Sequence, residues 1–198
     1  MGAYTPVRHL EHWLPEISQR ILVPLAEGLD AEGQPYQGVL YAGLMINDFG
    51  PKVVEFNVRF GDPECQVLMM RLESDLVELM LACAERRLGE IEAPRMSDDF
   101  ALTVVMAAEG YPGTPKKGGE IDLDSAEENG AKIFHAGTKR DGGRLVANGG
   151  RVLNVTAKGA TATEAQAAAY EAVDAVQFPD GFCRRDIGQR EVRRERHG

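Results

Sequence analysis

Hydrophobic positions recur at helical spacing near the start of the chain, between Arg8 and Leu29. The apolar residues that carry this spacing are Leu10, Leu14, Ile17, Ile21, Leu25 and Leu29. Their spacing of three to four residues predicts an amphipathic helix that packs on a core. Pro24 lies inside the pattern, and because proline lacks an amide proton we expect it to kink or interrupt the helix.

A β-hairpin is predicted next. Residues 37–46 are apolar and compatible with a strand, and residues 47–50 (NDFG) supply turn chemistry. Residues 52–60 alternate in polarity, which predicts the return strand. We expect the first strand to be internal because it is apolar on both faces. The side chains predicted to share one face of the second strand are Val53, Glu55, Asn57 and Arg59.

A second helix is predicted from about Asp75 to Leu88, with Ser74 as its N-terminal cap. After it, residues 89–98 are polar and contain proline, so we place a domain boundary there, between residues 1–92 and residues 98–198. The strands predicted beyond the boundary are residues 100–108, 131–136 and 151–157.

The second half ends with one predicted helix, residues 162–176. Thr161 and Glu164 have the spacing of a capping box at its start. The basic tail is expected to fray beyond about Arg190. The whole pattern predicts an α+β fold: helices with an antiparallel hairpin or sheet, followed by a small β-rich domain with one helix.

Composition and charge narrow the function classes. The formal net charge is −9, which argues against non-specific binding of nucleic acid. No apolar stretch is long enough to span a membrane, and no leader sequence is visible. The three cysteines are too few and too widely spaced for a disulfide framework. These features predict a soluble cytoplasmic protein without a nucleic-acid or membrane partner.

The polar face of the second hairpin strand carries the candidate chemistry. Glu55 and Asn57 offer a carboxylate and an amide oxygen, which suit Mg²⁺ or Mn²⁺. Arg59 offers a guanidinium that suits a phosphate or a carboxylate. Two interpretations fit these residues: a solvated outer face of the hairpin, or a site for a metal-bridged polyphosphate.

The turn that follows, residues 61–64 (GDPE), adds two carboxylates, Asp62 and Glu64. Either one could bind a cationic amine substrate or form a structural bond to Arg59. The alternative is that both only brace the turn and its neighbours.

The run GPKVVEFNVRFGDPECQ, with LESDLVELM after it, resembles the phosphoribosylamine–glycine ligase (glycinamide ribonucleotide synthetase) family. The later motifs EGYPGTPKKGGEI, IFHAGT, NGGRVLNVTAKGATATEA and RRDIG resemble the carboxy-terminal domain of the same family. The resemblance covers essentially the whole chain. It implies an ATP-grasp domain in residues 1–92 and the carboxy-terminal domain of the synthetase in residues 98–198.

The resemblance also implies an activity and a set of site residues. The family joins glycine to 5-phosphoribosylamine with ATP, through glycyl phosphate, in de novo purine synthesis. By resemblance Glu55 and Asn57 hold Mg²⁺ or Mn²⁺, and Arg59 neutralises the transferring phosphoryl group. Leu44 would lie under the adenine of ATP by the hairpin register, and Asp62 and Glu64 are candidates for the glycine end. In the wider superfamily the preceding strand often supplies a further carboxylate, and Ala42 stands at the corresponding position.

The chain resembles only the carboxy-terminal part of the family, so we expect the amino-terminal domain and the ATP lid to lie outside it. Three hypotheses follow. The chain is part of a ligase and inactive alone; or it is a non-catalytic, split or truncated product that docks with a separate amino-terminal piece; or it belongs to another ATP-grasp ligase of purine synthesis. The motifs RFGDPE, HAGT and RRDIG favour the glycine ligase over the third.

Overall fold

The computed structural model describes residues 1–197. Its strands, in chain order, are β1 (Gly2–Thr5), β2 (Tyr41–Asn47), β3 (Gly50–Asn57), β4 (Phe100–Ala108), β5 (Glu120–Ile121), β6 (Lys132–His135), β7 (Thr138–Asp141), β8 (Arg144–Ala147), β9 (Arg151–Gly159) and β10 (Gly181–Phe182). Its α-helices are α1 (Leu14–Ile17), α2 (Val23–Ala31), α3 (Glu64–Arg71), α4 (Leu76–Ala84), α5 (Ala162–Ala175) and α6 (Gln189–His197). Every strand pairing is antiparallel, which confirms the predicted α+β class.

The chain divides into two compact units that interleave in sequence. The sheet unit contains Met1–Pro6, Asp62–Arg71 and the chain from Met96 onward. The hairpin unit contains Val7–Gly61 and Leu72–Arg95. These units are defined by spatial compactness, whereas the boundary predicted between residues 92 and 98 separates two family domains along the sequence. The compact units therefore do not test that boundary, which stays a prediction.

The sheet unit is built on a five-stranded sheet in which β1, β4, β9 and β6 lie in that order and β10 also pairs with β4. Every residue of β4 is buried, so both faces of the sheet are covered. On one face Leu102, Val104 and Val155 join the main hydrophobic core with the alanines of α5. The predicted strands 100–108, 131–136 and 151–157 correspond to β4, β6 and β9, whereas β1 was not predicted.

Helix α5 begins as the sequence predicts. The hydroxyl of Thr161 accepts a hydrogen bond from the amide of Glu164 at 3.1 Å, and Glu164 Oε2 accepts one from the amide of Ala160 at 2.9 Å. The small side chains of Ala165, Ala169 and Ala172 are buried, which lets the helix approach the sheet closely.

Helix α3 was not predicted by the sequence pattern. It contacts β4 and β9, and its Val67 is fully buried. Arg71 ties its last turn to the sheet unit, since Nε and Nη2 both donate to the carbonyl of Ser97, at 3.0 and 2.6 Å. The turn that carries Asp62 therefore leads directly into a helix packed in the sheet unit.

The expectation that the tail frays beyond Arg190 is wrong, because residues Gln189–His197 form α6. Two carboxylates hold the helix in place. Glu191 is buried and accepts a hydrogen bond from the hydroxyl of Tyr4 at 3.2 Å. Glu195 accepts hydrogen bonds from the amides of Ala162 and Thr163, at 2.6 and 2.9 Å. The domain therefore ends in a second helix rather than the single one predicted.

In the hairpin unit, the predicted helix from Arg8 to Leu29 is present as a succession of helical segments that reaches Ala31. A wider π-helical turn, Ser18–Leu22, comes just before Pro24. Because Pro24 cannot donate to the carbonyl four residues earlier, a local change of helical pitch is expected there.

Two details of the hairpin unit differ from the sequence prediction. Asp75, and not Ser74, caps α4: its carboxylate accepts from the amides of Val77 and Glu78, at 2.7 and 3.2 Å. The hydroxyl of Ser74 instead accepts from the amide of Arg95. Among the described residues, β2 pairs only with β3, so the expectation of an internal strand is also wrong.

Candidate functional site

The strand β3 brings the two predicted metal ligands together. Asn57 Nδ2 donates a hydrogen bond to Glu55 Oε1 at 3.0 Å, so the two side chains converge on one face. Residues two apart on a strand point to the same side, which is why the alternation in the sequence identified the pair. The contact leaves an amide oxygen beside a carboxylate.

Gly43 provides the space that Glu55 occupies. It pairs with Glu55 across the hairpin, and a Cβ atom at Gly43 would lie 3.0 Å from Glu55 Cγ. Such a distance is tighter than ordinary van der Waals contact, so a larger residue would force the Glu55 side chain to shift by a few tenths of an ångström. Gly43 is a positioning feature that sequence reasoning missed.

The hairpin register changes next to Gly43. A β-bulge separates the pair Gly43–Glu55 from the pair Leu44–Val53. Leu44 therefore pairs with Val53 rather than with Val54, the partner that an uninterrupted register would give it. Its predicted role under the adenine stays a prediction. Ala42 pairs with Phe56.

Arg59 lies beyond the end of β3, because the strand stops at Asn57 and not at residue 60 as predicted. Its Nη1 donates to the carbonyl of Phe60 at 2.8 Å, and the residue is exposed. The phosphoryl role of Arg59 stays a prediction. Its guanidinium lies two residues after Asn57 in the sequence.

Asp62 and Glu64 belong to the sheet unit, whereas the other predicted site residues belong to the hairpin unit. Asp62 Oδ2 forms an ion pair with Arg151 Nη2 at 2.9 Å. The sequence suggests Arg59 as a partner for Asp62, whereas the observed partner is Arg151, nearly a hundred residues away in sequence. Glu64 is the first residue of α3.

The side-chain oxygens of Glu55 and Asn57 could supply some, but not all, of the ligands of a hard divalent cation. A carboxylate and an amide oxygen are ligands that Mg²⁺ and Mn²⁺ accept, but such ions take about six oxygen ligands. No group of three or more His, Cys, Asp or Glu side chains within residues 1–197 could hold a metal ion. The two side chains would therefore fill only part of the coordination shell of such an ion.

Two further features of residues 1–197 concern membrane-spanning helices and cysteines. No helix there is long and apolar enough to cross a membrane. The three cysteines in that range form no disulfide with one another.

Two family models match the chain. One is the phosphoribosylglycinamide synthetase ATP-grasp (A) domain, over residues 1–65, and the other is the phosphoribosylglycinamide synthetase C domain, over residues 101–190. The first match contains the strand with Glu55 and Asn57, and the second contains Arg151.

The chain is also similar to proteins from a bacterium and a plant that are both phosphoribosylamine–glycine ligases. The chain is 56% identical to a phosphoribosylamine–glycine ligase from Mesorhizobium japonicum, over 99% of this chain and 46% of the relative. It is 50% identical to a chloroplastic phosphoribosylamine–glycine ligase from Arabidopsis thaliana, over 98% of this chain and 38% of that protein. The chain thus spans less than half the length of these relatives.

Two solved structures are similar to this chain in fold. A phosphoribosylamine–glycine ligase from Thermotoga maritima superposes with a TM-score of 0.78 at 38% identity, over 94% of this chain and 46% of that one. The urea carboxylase of Kluyveromyces lactis superposes with a TM-score of 0.67 over 99% of this chain and 17% of that one. At 16% identity the second match shows a shared fold alone.

Proposed function

Because the chain belongs to the phosphoribosylglycinamide synthetase family, we propose that it forms the metal-holding strand and carboxy-terminal domain of an ATP-dependent carbon–nitrogen ligase. The reaction joins glycine to 5-phosphoribosylamine and yields glycinamide ribonucleotide, ADP and phosphate. The observation that carries the proposal is the convergence of Glu55 and Asn57 within a hydrogen-bond distance of 3.0 Å on one strand.

The chemistry takes two steps. A glycine carboxylate oxygen attacks the γ-phosphorus of ATP, and the bond from that phosphorus to the leaving ADP oxygen breaks. The amine of phosphoribosylamine then attacks the acyl carbon, phosphate leaves, and the nitrogen loses a proton. A bound Mg²⁺ or Mn²⁺ supplies charge neutralisation to the polyphosphate.

Each residue has a proposed task in these steps. Glu55 and Asn57 bind the metal through their side-chain oxygens. Arg59 stabilises negative charge on the transferring phosphoryl group. Leu44 packs under the adenine, and the GDPE turn, with Asp62 and Glu64, serves the glycine end.

The surface of the hairpin unit supports a partner for this chain. Large apolar side chains are exposed there, including Met45 at 62%, Phe49 at 88% and Val54 at 66%. Exposed apolar side chains of this size suit a surface that another segment of protein covers. The alternative function, a non-catalytic split product that docks with a separate amino-terminal piece of the same enzyme, is favoured by the same observation.

A different ATP-grasp ligase of purine synthesis is not favoured, because both family models describe phosphoribosylglycinamide synthetase. We also propose a cytoplasmic location, which suits the three unpaired cysteines. The Arabidopsis relative is described as chloroplastic, which is a property of that protein.

One experiment separates these possibilities. The part of the Mesorhizobium japonicum relative that this chain does not match is produced both as a separate piece and joined in front of this chain; we call the second protein the joined ligase. We expect product that depends on ATP and glycine from the joined ligase and none from the chain alone. Activity on mixing the two pieces would support docking of a split enzyme. An inactive joined ligase, folded by circular dichroism, would refute the proposed function, and product from the chain alone would refute its dependence on a partner.

A further inference from the structure

The sequence contains two Asn-Gly pairs, Asn129–Gly130 and Asn148–Gly149, and both lie in the sheet unit. In such a pair the backbone nitrogen of the glycine reaches the asparagine side chain most easily, because glycine has no Cβ atom to obstruct the approach. Both asparagines are exposed to water. The surroundings of the two glycines differ, and this difference decides which pair can react.

Gly130 has an unobstructed backbone. It follows a turn, residues 124–129, that lies between β5 and β6, and it is exposed. A Cβ atom built at Gly130 would meet no atom within 4 Å. Its amide donates a long hydrogen bond, 3.3 Å, to the carbonyl of Glu127. The nitrogen of Gly130 can therefore move toward the side chain of Asn129 without breaking a strong contact.

Gly149 is held by the close approach of two backbone segments. A Cβ atom at Gly149 would lie 3.0 Å from the Cα atom of Gly137, and one at Gly137 would lie 2.9 Å from the nitrogen of Gly149. The amide of Asn148 also donates to the carbonyl of Gly137 at 2.7 Å. Because these contacts fix the backbone at both residues, the nitrogen of Gly149 is kept from the side chain of Asn148.

One hydrogen bond restrains the side chain of Asn129. Its Nδ2 donates to Oε1 of Glu171 in α5 at 2.6 Å, which orients the amide toward the helix. The contact is exposed, so water competes with it. The carboxylate also places negative charge near the backbone nitrogen of Gly130, which must lose a proton as it attacks. Glu171 should therefore slow the reaction in two ways without preventing it.

We propose that Asn129 is a site of spontaneous deamidation that Glu171 restrains, and that Asn148 is protected by the packing of Gly149. The nitrogen of Gly130 attacks Cγ of Asn129, and the new bond closes a cyclic imide. The bond from Cγ to Nδ2 breaks, and Nδ2 leaves as ammonia with the proton that the attacking nitrogen loses. Water then opens the imide at either carbonyl, which gives aspartate or isoaspartate without any oxidation or reduction.

The first test compares the two asparagines in this chain and needs no enzyme activity. The chain is incubated at mildly alkaline pH and digested, and mass spectrometry follows the gain of about one dalton in each peptide. We expect Asn129 to deamidate at least ~10-fold faster than Asn148 in the folded chain. In urea the packing at Gly149 is lost, so the two rates should agree within about threefold. Equal rates in the folded chain, or the same ratio of rates in both states, would overturn the proposal.

The second test changes the residue that restrains Asn129. Glu171→Ala removes the hydrogen bond and the charge, so deamidation of Asn129 should accelerate about three- to tenfold. Glu171→Gln keeps an acceptor oxygen and loses the charge, and its rate should lie between those of the wild type and Glu171→Ala. The matched control is Asp174→Ala, which removes another exposed acid of α5, paired with Arg185, and should leave the rate unchanged. An unchanged rate in Glu171→Ala would overturn the restraining role.

Deamidation should also loosen the turn. The product lacks the donor to Glu171 and sets a carboxylate beside it, so attraction is replaced by like-charge repulsion. The amide of Ile133 reports on the turn, because it donates to Glu127 Oε1 at 2.8 Å. Asn129→Asp copies one product and should speed hydrogen exchange of that amide at least ~3-fold, whereas Asn148→Asp should leave it unchanged. Equal exchange in the two variants would overturn this consequence.

Discussion

Glu55 accepts a hydrogen bond from Asn57 across 3.0 Å, and Gly43 lies directly opposite Glu55 on the neighbouring strand. The pair is a carboxylate and an amide whose common position is fixed by β3. The missing Cβ at Gly43 leaves room for the side-chain stem of Glu55. The geometry makes the metal assignment testable at single residues.

Glu55→Ala in the joined ligase should abolish metal-dependent turnover and leave the fold intact. Removing one of the two proposed protein ligands weakens binding of the metal ion, and the polyphosphate charge is then neutralised less well. We expect activity to fall at least ~100-fold. The measurement is a Mg²⁺ titration of the rate, with the thermal midpoint as a check on folding. Glu92→Ala, an exposed acid in the same unit, serves as control. An unchanged Mg²⁺ dependence in Glu55→Ala would refute the assignment.

Arg59→Met should lower kcat more than it raises KM for ATP, because the guanidinium is proposed to act on charge that develops in the transition state. We expect a fall in kcat of about 100- to 1,000-fold. Arg20→Met removes an exposed arginine of the same unit that pairs with Glu16, and it should leave both constants unchanged. Equal changes in kcat for the two variants would exclude the phosphoryl role.

The sequence predicted those parts of the fold that have strong local signals. β4 was predicted with its observed bounds because nine apolar or small residues run uninterrupted from Phe100 to Ala108. Helix α5 was predicted because the hydroxyl of Thr161 and the carboxylate of Glu164 mark its start. Both signals lie within the element itself.

The elements that were missed depend on distant partners. β1 is four residues long and forms only by pairing with β4, nearly a hundred residues later in sequence. Helix α6 is polar on most of its surface. It is held by the hydrogen bonds that Glu191 accepts from Tyr4 and Glu195 accepts from Ala162. Local periodicity carries no record of such contacts, so the tail was expected to fray.

The same division applies to the candidate site. Alternation along one strand identified Glu55 and Asn57. The bulge beside Leu44 was not visible, because it depends on how two strands pair. The contact of Arg151 with Asp62 joins residues nearly a hundred positions apart, so spacing could not reveal it.

Two neighbouring positions of β9 should respond to valine with opposite signs. Asn154 is 1% exposed, and its Oδ1 has no hydrogen-bond partner among residues 1–197. Asn154→Val removes this buried unpaired oxygen and should stabilise the chain by about 1–2 kcal/mol. The measurement is the free energy of unfolding in urea.

Thr156 is the matched comparison, since it is equally buried and two residues along the same strand. Its hydroxyl donates to Thr103 Oγ1 at 2.7 Å. Thr156→Val keeps the side-chain volume but leaves Thr103 without this partner, so we expect a loss of about 1–3 kcal/mol. Equal signs for the two valine variants would contradict the interpretation.

Tyr4 should make the chain less stable at alkaline pH. Burial, and after it the charge of Glu191, raises the pKa of the Tyr4 hydroxyl above its ordinary value of 10.0. The folded state then retains the proton that the unfolded state loses, so this stabilisation is complete below pH 10 and is lost as the pH rises through the folded pKa.

The measurement is the free energy of unfolding from pH 8 to pH 11.5 in the wild type and in Tyr4→Phe. Burial also raises the pKa values of Cys65 and Cys183, so the comparison between the two proteins isolates the tyrosine. The wild type should lose more stability than Tyr4→Phe above pH 10. Parallel curves would show that Tyr4 does not contribute.

Glu195 should stabilise two helices at once, because it belongs to α6 and caps α5. Its Oε1 accepts from the amide of Ala162 at 2.6 Å, and its Oε2 accepts from the amide and the hydroxyl of Thr163 at 2.9 and 2.8 Å. A carboxylate at a helix N-terminus satisfies unpaired amides and interacts favourably with the helix dipole. Glu195→Ala should therefore lower the free energy of unfolding by about 1–2 kcal/mol.

The Glu195→Ala variant should also reduce the helical circular dichroism signal, because α6 loses one of the two carboxylates that hold it. Glu195→Gln keeps the acceptor oxygen and loses the charge, so its loss of stability should be smaller. Arg196→Ala changes the next, exposed residue of the same helix and should alter the stability by less than about 0.5 kcal/mol. If Arg196→Ala destabilises the chain as much as Glu195→Ala, the effect comes from helix α6 alone and the cap on α5 contributes nothing.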